Sequence, residues 1–424
     1  MSIVLLAGLA VAVAAALYWP LLGLLVYVWL DLMRPHDMFV ELRSVRPMLV
    51  IAAATIMATA WRERQHALEN WRALLPVAAL AAVVAASIAV SVDRARSLFV
   101  FIEILKMLAL VWLLDRLVHD EWRMRAVLWT VVLSLAVLAV VAIIDACALG
   151  VFREFHAGQT IQGPAGRGDG GFRDNNDLAR VLALSVPLWW ALAALPGARW
   201  SRCAAAAGAL LGIGGIESTF SRGGLLALLA GAAGVATSYR PFWRGAALWL
   251  GFLAALLVCS PRTYVERVTT IFQPAADASI MGRIGVWEEA AALFAQRPLL
   301  GRGAGTFRLA TDGSRPVRRA AHSVAIEVAV ELGVVGLLAY GWLLLDTLWR
   351  LHRLRGDAEP WVSSAAVGIE SALLAVMTAS LTLSGPFLSP LFILIGLSIA
   401  LQRCAAMPAA VVNDVAALPS AGAP

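Results

Sequence analysis

The chain has 424 residues, of which 61% are hydrophobic and only 15% are charged, and its mean hydropathy is +0.79. Soluble domains are typically about half apolar and about a quarter charged. A soluble globular fold is therefore excluded, and lipid must surround most of the chain. The formal net charge of +6 is carried almost entirely by arginine, because Lys106 is the only lysine. We expect membrane lipids, and no nucleic acid, among the partners.

Twelve apolar runs, give or take one, are long enough to predict membrane helices. The first run has no basic region of the kind that opens a cleaved signal peptide. It is either one tilted helix or two short segments broken at Pro20, and we count it once. The runs lie at about 3–33, 47–60, 75–91, 98–114, 125–149, 178–196, 203–218, 223–238, 245–260, 323–347, 364–384 and 387–402.

Arginine in short loops predicts the orientation, because such loops stay in the cytoplasm. With the N-terminus inside, five basic loops and both termini are cytoplasmic. The opposite, periplasmic side receives 34–46, 92–97, 150–177, 219–222 and 261–322. The prediction is an all-α polytopic membrane protein: helices 1–9 within 1–260, with a polar periplasmic loop near 150–177; a long periplasmic loop at 261–322; helices 10–12 within 323–403; and a cytoplasmic tail at 404–424.

Two segments of the long periplasmic loop have helical apolar spacing, VERVTTIF (265–272) and RIGVWEEAAALFAQ (283–296). In the second, one stripe comprises Ile284, Trp287, Ala291 and Phe294. This pattern predicts amphipathic helices that lie on the membrane surface or cover a cavity. The following GRGAG neither follows a strand nor opens a helix, so it does not predict a phosphate-binding loop.

Three candidate site residues fall on the predicted periplasmic side. His322 stands where the long loop becomes a helix, just after Arg318 and Arg319. A neutral imidazole there could take a proton from a sugar hydroxyl, although an interfacial histidine can also simply cap a helix. Arg222 in the SRGG turn and Arg283 at the start of the amphipathic helix could bind anions. Alternatively, Arg222 could anchor its helix in the lipid headgroups as a snorkelling arginine, and Arg283 could simply be solvated.

Two further parts of the sequence, a mid-span lysine and a polar loop, carry more polar residues than helix packing requires. Lys106 lies mid-span, one turn after Glu103, and a charge at that depth indicates either a functional site or an internal ion pair. The loop GRGDGGFRDNNDLA (166–179) offers Arg173, Asn175 and Asn176 for contacts with sugar hydroxyls. Asn176 or Asp177 could instead cap the next helix.

The predicted periplasmic face thus combines many arginines with one histidine. It has no HExxH, DxD or paired His/Cys spacing, and the four cysteines lack CxxC spacing, which predicts neither a metal site nor a disulfide. A pyrophosphate leaving group needs its developing charge stabilised, and arginines can do this without a metal. We therefore predict transfer of a glycan from a polyprenyl pyrophosphate, with no metal and no cofactor.

Five motifs resemble a known family. SRGG (221–224), GRIGVWEEAAALFAQRPLLGRGAGTF (282–307) and AHSVAIEVAVELGVVGLL (321–338) resemble, in order and spacing, the core of the bacterial O-antigen ligase (WaaL) and polymerase (Wzy) superfamily. VWLDLMRPHDMF (28–39) and FRDNNDLARVLALSVPL (172–188) are similar to its exosortase-A-associated O-glycosylation ligase branch.

The resemblance implies a GT-C-like glycosyltransferase of the inner membrane whose active site faces the periplasm. It implies metal-independent, inverting transfer of O-antigen from undecaprenyl pyrophosphate to lipid A–core in lipopolysaccharide biosynthesis. By motif, His322 matches the family's loop-end histidine, Arg222 the SRG arginine and Arg283 the arginine before the loop tryptophan. We expect His322 to be catalytic and the two arginines to bind the donor. Lys106 corresponds to a basic residue of the family's earlier spans, and we expect it to bind the donor as well. Apart from the motif matches, we expect Arg318 or Arg319 to help hold the pyrophosphate.

Other functions remain open from the sequence. A polymerase or a protein O-glycan ligase would use the same donor and differ only in the acceptor. A transporter or flippase for lipid-linked sugars would show charges along the span centres and duplicated halves. The sequence shows one mid-span charge pair, Glu103–Lys106, and no visible repeat.

Overall fold

A computed structural model describes residues 2–35, 46–62, 71–148, 175–195, 199–269, 278–310, 320–356 and 359–406. Within these ranges the chain forms helices and no strand, as predicted. Three predicted site residues, Arg173, Arg318 and Arg319, lie outside the described residues, as do most of the 150–177 loop and of the C-terminal tail. The helices are α1 (Ser2–Tyr18), α2 (Pro20–Met33), α3 (Pro47–Arg62), α4 (Trp71–Val90), α5 (Arg94–Leu117), α6 (Glu121–Ala148), α7 (Asn175–Leu182), α8 (Ser185–Ala194), α9 (Arg199–Ser218), α10 (Arg222–Ala236), α11 (Phe242–Cys259), α12 (Arg262–Thr269), α13 (Ala278–Gln296), α14 (Phe307–Ala310), α15 (Val324–Arg353), α16 (Pro360–Ser380) and α17 (Ser389–Ala406).

Among the described residues, eight helical segments are long and apolar enough to cross a membrane, with α7 and α8 acting together as one of them. Shorter apolar helices accompany them, in α1, α2, α3 and α10. The chain is therefore a multi-pass membrane protein. Helix α16 lies at the centre, packed against α8, α10, α15 and α17. Small residues allow this close approach, since a Cβ added at Gly368 would lie 2.4 Å from the Cβ of Ala191.

The first apolar run is two helices, so the single tilted helix is wrong. The backbone of Trp19 is extended (φ −135°, ψ 93°), and Pro20 opens α2 at a position where its missing N–H is not needed. The turn is tight enough that a Cβ added at Gly23 would lie 2.7 Å from the Cβ of Ala16. Both helices pack on α3.

The loops gather at two ends of the bundle, as the alternating topology requires. At one end, which we call the site end, the Val92 N–H donates to the carbonyl of Arg302 at 2.9 Å. At the opposite end, Arg355 donates to the hydroxyl of Thr237 at 2.7 Å, and Arg403 donates to the carbonyl of Val118 at 3.3 Å. Each of these three contacts joins two segments that the sequence predicts on the same side of the membrane.

Helix α15 is interrupted at the site end by Gly333, whose φ of 67° and ψ of −163° are not helical. The interruption frees backbone groups that a neighbouring loop then binds. The Arg302 and Gly303 N–H groups donate to the carbonyls of Val330 and Glu331, and the Val334 N–H donates to the carbonyl of Pro298 at 2.8 Å. Only glycine adopts this conformation readily, so Gly333 fixes where the long loop docks.

The Glu331 side chain holds the GRGAG loop from within the protein. Its carboxylate is buried and accepts the Gly305 N–H at 2.7 Å and the Phe307 N–H at 2.9 Å. The Ala304 N–H donates to the Ser87 hydroxyl at 3.3 Å. The loop therefore surrounds a resident carboxylate, in the way that a nest of backbone N–H groups surrounds an anion.

Candidate active site

The SRGG turn connects α9 to α10 at the site end. Phe220 adopts a left-handed backbone (φ 52°), and Ser221 then caps α10 by accepting the Gly224 N–H at 3.1 Å. The Ser221 hydroxyl also donates to Oδ1 of Asn176 at 2.7 Å, at the start of α7. Arg222 is the first residue of α10. Two predicted site residues, Asn176 and Arg222, are thus joined through Ser221, and Asn175 opens α7 beside them.

The His322 turn has the same local design. His322 is left-handed (φ 49°), and the next residue, Ser323, is extended and occupies the N-cap position of α15. His322 is therefore not the helix cap, which was the alternative interpretation of its position. Its backbone N–H donates to the Ser384 hydroxyl at 2.9 Å, and the side chain is partly buried.

The loop between α16 and α17, residues 381–388 (the 381–388 loop), contacts both turns. A Cβ added at Gly223 of the SRGG turn would lie 2.6 Å from Oγ1 of Thr382. Two residues later, Ser384 receives the His322 N–H. The start of α10 and the start of α15 are therefore both adjacent to one short loop. Helix N-termini carry partial positive charge and point unsatisfied N–H groups outwards, a suitable setting for anions.

Helix α13 brings Arg283 towards the same region. The Trp287 indole N–H, one turn after Arg283, donates to the carbonyl of Ala321 at 2.8 Å, directly before His322. Val286 and Ala290 of α13 pack into a small core with other residues of the long loop and α15. Arg283 is partly buried.

The face of α13 that contacts the protein differs from the predicted stripe. Val286, Ala290 and Leu293 pack inwards together with Phe294, whereas Ile284, Trp287 and Ala291 are exposed. The helix has apolar residues on two neighbouring faces, so its spacing alone did not decide between them. The inward face is chosen by the docking partners Phe307, Ala321 and Val330.

Lys106 belongs to a different cluster. Its ammonium lies 2.6 Å from Oε1 of Glu103, and the two side chains are 43% and 33% exposed. Both charges act on Asp31 of α2, whose carboxylate also interacts with Ser389 at the start of α17. Ser389 follows the 381–388 loop directly, so the cluster adjoins the site without sharing a described hydrogen bond with either turn. A role for Lys106 in donor binding stays a prediction.

A comparison with protein families bears on the part of the chain that contains the two turns. Residues 206–341 match the family described as O-antigen ligase. The chain carries an O-antigen ligase domain. The resemblance to the O-antigen ligase and Wzy superfamily is thereby confirmed, whereas the exosortase-A-associated branch stays a prediction. No curated protein matches the chain. The ligase domain contains Arg222, Arg283 and His322, while Asn176 lies outside the matched residues.

Several residues near the two turns of the ligase domain were not predicted from the sequence. Glu327, in the first turn of α15, accepts the Gly385 N–H at 2.8 Å. Arg180 of α7 is only 1% exposed and forms an ion pair with Asp177 at 2.8 Å. Arg180 and Arg308 both act electrostatically on Glu327. An arginine within the apolar stretch DLARVLAL was the available signal, because a charge in such a stretch indicates a polar interior.

In the described part of the chain, no group of three or more His, Cys, Asp or Glu side chains is placed to hold a metal ion. The charged groups near the two turns include Arg180 and Asp177 of α7, Arg222 of α10 and Glu327 of α15. Arginine is suited to such a position because it stays charged when buried and its planar fork matches phosphate oxygens.

Tyr264 of α12 packs against Phe220, the residue before the SRGG turn. Its side chain is 2% exposed, and its ring meets that of Phe220 edge-on with 5.9 Å between centroids. The hydroxyl has no hydrogen-bond partner among the described residues. Burial, and then the nearby Glu217 carboxylate, raise the pKa of Tyr264 above its usual value.

We expect Tyr264→Phe to preserve the ring contact and to leave stability at neutral pH unchanged or slightly higher, because it removes a buried polar group. A raised pKa in the folded state contributes stability that is complete below the unfolded pKa of about 10 and is lost as the pH rises above it. Thermal unfolding of detergent-purified protein at pH 8 and pH 10.5 should therefore show a larger alkaline loss in wild type than in the variant. Equal losses would contradict this assignment.

Proposed function

We propose that the chain is an O-antigen ligase that transfers O-antigen from undecaprenyl pyrophosphate to lipid A–core without a metal. The observation that supports this most is the contact of the SRGG turn and the His322 turn with one loop, 381–388. The start of α10, where we propose that the anion binds, and His322, the candidate base, are both adjacent to this loop.

In this proposal the pyrophosphate binds near the start of α10, with Arg222 and Arg283 as its fixed cations. Charge-assisted hydrogen bonds from guanidinium groups stabilise the negative charge that develops on the leaving group. Arg318 and Arg319, which precede His322 in the chain, are proposed to add to this charge. The arginines would thus do what a divalent cation does in other pyrophosphate chemistry.

His322 is proposed as the general base. Its imidazole takes the proton of the acceptor hydroxyl, whose oxygen attacks the anomeric carbon of the glycan. The bond from that carbon to the pyrophosphate oxygen breaks, and undecaprenyl pyrophosphate leaves with the bonding electron pair. Attack opposite the leaving group inverts the anomeric configuration. The left-handed backbone of His322 fits such a role, because backbone strain of this kind clusters at active sites.

Glycan hydroxyls are proposed to contact the amides of Asn175 and Asn176 and the guanidinium of Arg173. The side-chain oxygen of Asn176 accepts a hydrogen bond from the Ser221 hydroxyl, and its N–H₂ group can then donate to a sugar hydroxyl. This arrangement would place the first sugar next to the pyrophosphate. The active site is proposed to face the periplasm from the inner membrane, with the basic loops of the opposite end in the cytoplasm.

Deletion of the gene in its host tests the function and separates it from the alternatives. A ligase predicts loss of the long O-antigen ladder from lipopolysaccharide, with accumulation of undecaprenyl-linked polymer. Core carrying a single repeat unit would instead identify a polymerase. An unchanged ladder with unglycosylated protein would identify a protein ligase, and donor trapped on the cytoplasmic face would identify a transporter.

A further inference from the structure

We propose that Glu327 is a positioning residue that fixes His322 through the 381–388 loop. The inference rests on the proposed role of His322 as the base. It assigns a separate task to a carboxylate that the ligase mechanism itself does not use.

One carboxylate holds two successive residues of the loop. Glu327 accepts the Gly385 N–H at 2.8 Å, and the Ser384 hydroxyl also interacts with it. The same Ser384 oxygen accepts the His322 N–H at 2.9 Å. A continuous path of polar contacts therefore runs from Glu327 through Ser384 to the backbone of His322.

His322 needs such support because of its backbone conformation. A left-handed φ of 49° in a residue other than glycine is held only when surrounding contacts determine it. The following N-cap, Ser323, makes no side-chain capping bond. The Ser384 hydroxyl is thus the described group that fixes the N–H of His322.

The loop itself is shaped for this contact. Gly385 has a φ of 93°, a backbone conformation that residues other than glycine rarely adopt. In this conformation its N–H points to Glu327. Tyr340 adds a second attachment, since its hydroxyl donates to the carbonyl of Pro386 at 3.2 Å. The loop is therefore fastened to α15 on both sides of Gly385.

The negative charge of Glu327 has partners of its own. Arg180 and Arg308 both act on the carboxylate, and Arg180 is fixed by Asp177. A glutamine would retain an acceptor for the Gly385 N–H but would lose the attraction to these arginines. An alanine would lose both. The two substitutions therefore separate hydrogen bonding from charge.

The test uses full-length purified protein with Glu327→Ala, Glu327→Gln and Ser384→Ala, and Glu121→Gln as the matched control. Glu121 pairs with Arg125 at the opposite end of the bundle. Hydrogen–deuterium exchange of peptides covering 320–326 and 382–388 reports positioning without depending on activity. Transfer kinetics report its consequence as separate kcat and KM values.

We expect Glu327→Ala and Ser384→Ala to speed exchange around His322 by about tenfold or more, because a bonded amide is released. Glu327→Ala should lower kcat by about 100-fold with little change in KM, which is the scale of a misplaced catalytic group. Glu327→Gln should restore most of the protection and part of kcat. The control should behave as wild type.

Unchanged exchange at 320–326 in Glu327→Ala would overturn the proposal, even if activity fell. If Glu327→Ala fails to fold, Ser384→Ala and Glu327→Gln decide it, and wild-type exchange at 320–326 in Ser384→Ala would overturn it equally. Faster exchange in the variants together with no transfer by wild type would leave the positioning role standing and contradict the ligase function instead.

Discussion

Replacement of His322 by alanine should reduce glycan transfer by about 10²- to 10⁴-fold, the usual contribution of a general acid or base. The loss should appear in kcat, because the imidazole is needed when the acceptor proton moves and not when the donor binds. Binding of undecaprenyl pyrophosphate, the part of the donor that the arginines are proposed to hold, should stay within about threefold of wild type when measured by titration. Single-turnover transfer by the purified variant checks the first expectation.

His352→Ala is the matched control for this experiment. His352 lies at the opposite end of the bundle, is 72% exposed and contacts Glu370. The His352→Ala variant should transfer glycan at the wild-type rate. If His322→Ala kept more than about a third of the activity, or if both variants lost activity equally, His322 would not be the base.

Replacement of Glu331 by alanine should have the largest effect on stability. The buried Phe307 N–H and the partly buried Gly305 N–H would lose their acceptor. Each buried group left unsatisfied costs about 1–3 kcal/mol, so the free energy of unfolding should fall by about 2–6 kcal/mol. Chemical or thermal unfolding in detergent measures this loss, and proteolysis within 297–307 should accelerate.

Two further variants sharpen the interpretation. Glu331→Gln keeps one acceptor oxygen and should lose less stability than alanine. Glu359→Ala removes an exposed carboxylate whose partner among the described residues is the Trp361 indole, at 2.8 Å, and should change stability by less than about 0.5 kcal/mol. A loss below about 1 kcal/mol in Glu331→Ala would contradict the idea that this carboxylate anchors the loop.

Much of the fold could be predicted from the sequence because each membrane helix satisfies its own backbone hydrogen bonds. Run length and hydropathy therefore located the spans without knowledge of their neighbours. The interruption at Gly333 was not predicted, since α15 reads as continuous there and the break is stabilised by a loop more than 25 residues earlier. The two-helix form of the first run was one of the two alternatives at Pro20, and composition does not reveal the close packing of Gly23 on Ala16 that accompanies it.

For the candidate site, the sequence singled out residues with conspicuous chemistry and passed over residues that connect them in space. Arg222, Asn176 and His322 were recognised by residue type and by their place beside a span. Ser384 and Gly385 lie more than 60 residues after His322 in an otherwise apolar stretch, so no local pattern connects them to it. Glu327 was visible on the His322 helix, but only its contact with Gly385 distinguishes it from an ordinary first-turn acid.

The most direct test of the central proposal is transfer by the purified protein in EDTA, with undecaprenyl-pyrophosphate-linked O-antigen as donor and lipid A–core as acceptor. We predict that wild type transfers the glycan, that Arg222→Ala and His322→Ala do not, and that the products are polymer-bearing lipid A–core and undecaprenyl pyrophosphate. Transfer that requires an added divalent metal, or the absence of transfer to lipid A–core where an established ligase succeeds, would contradict it.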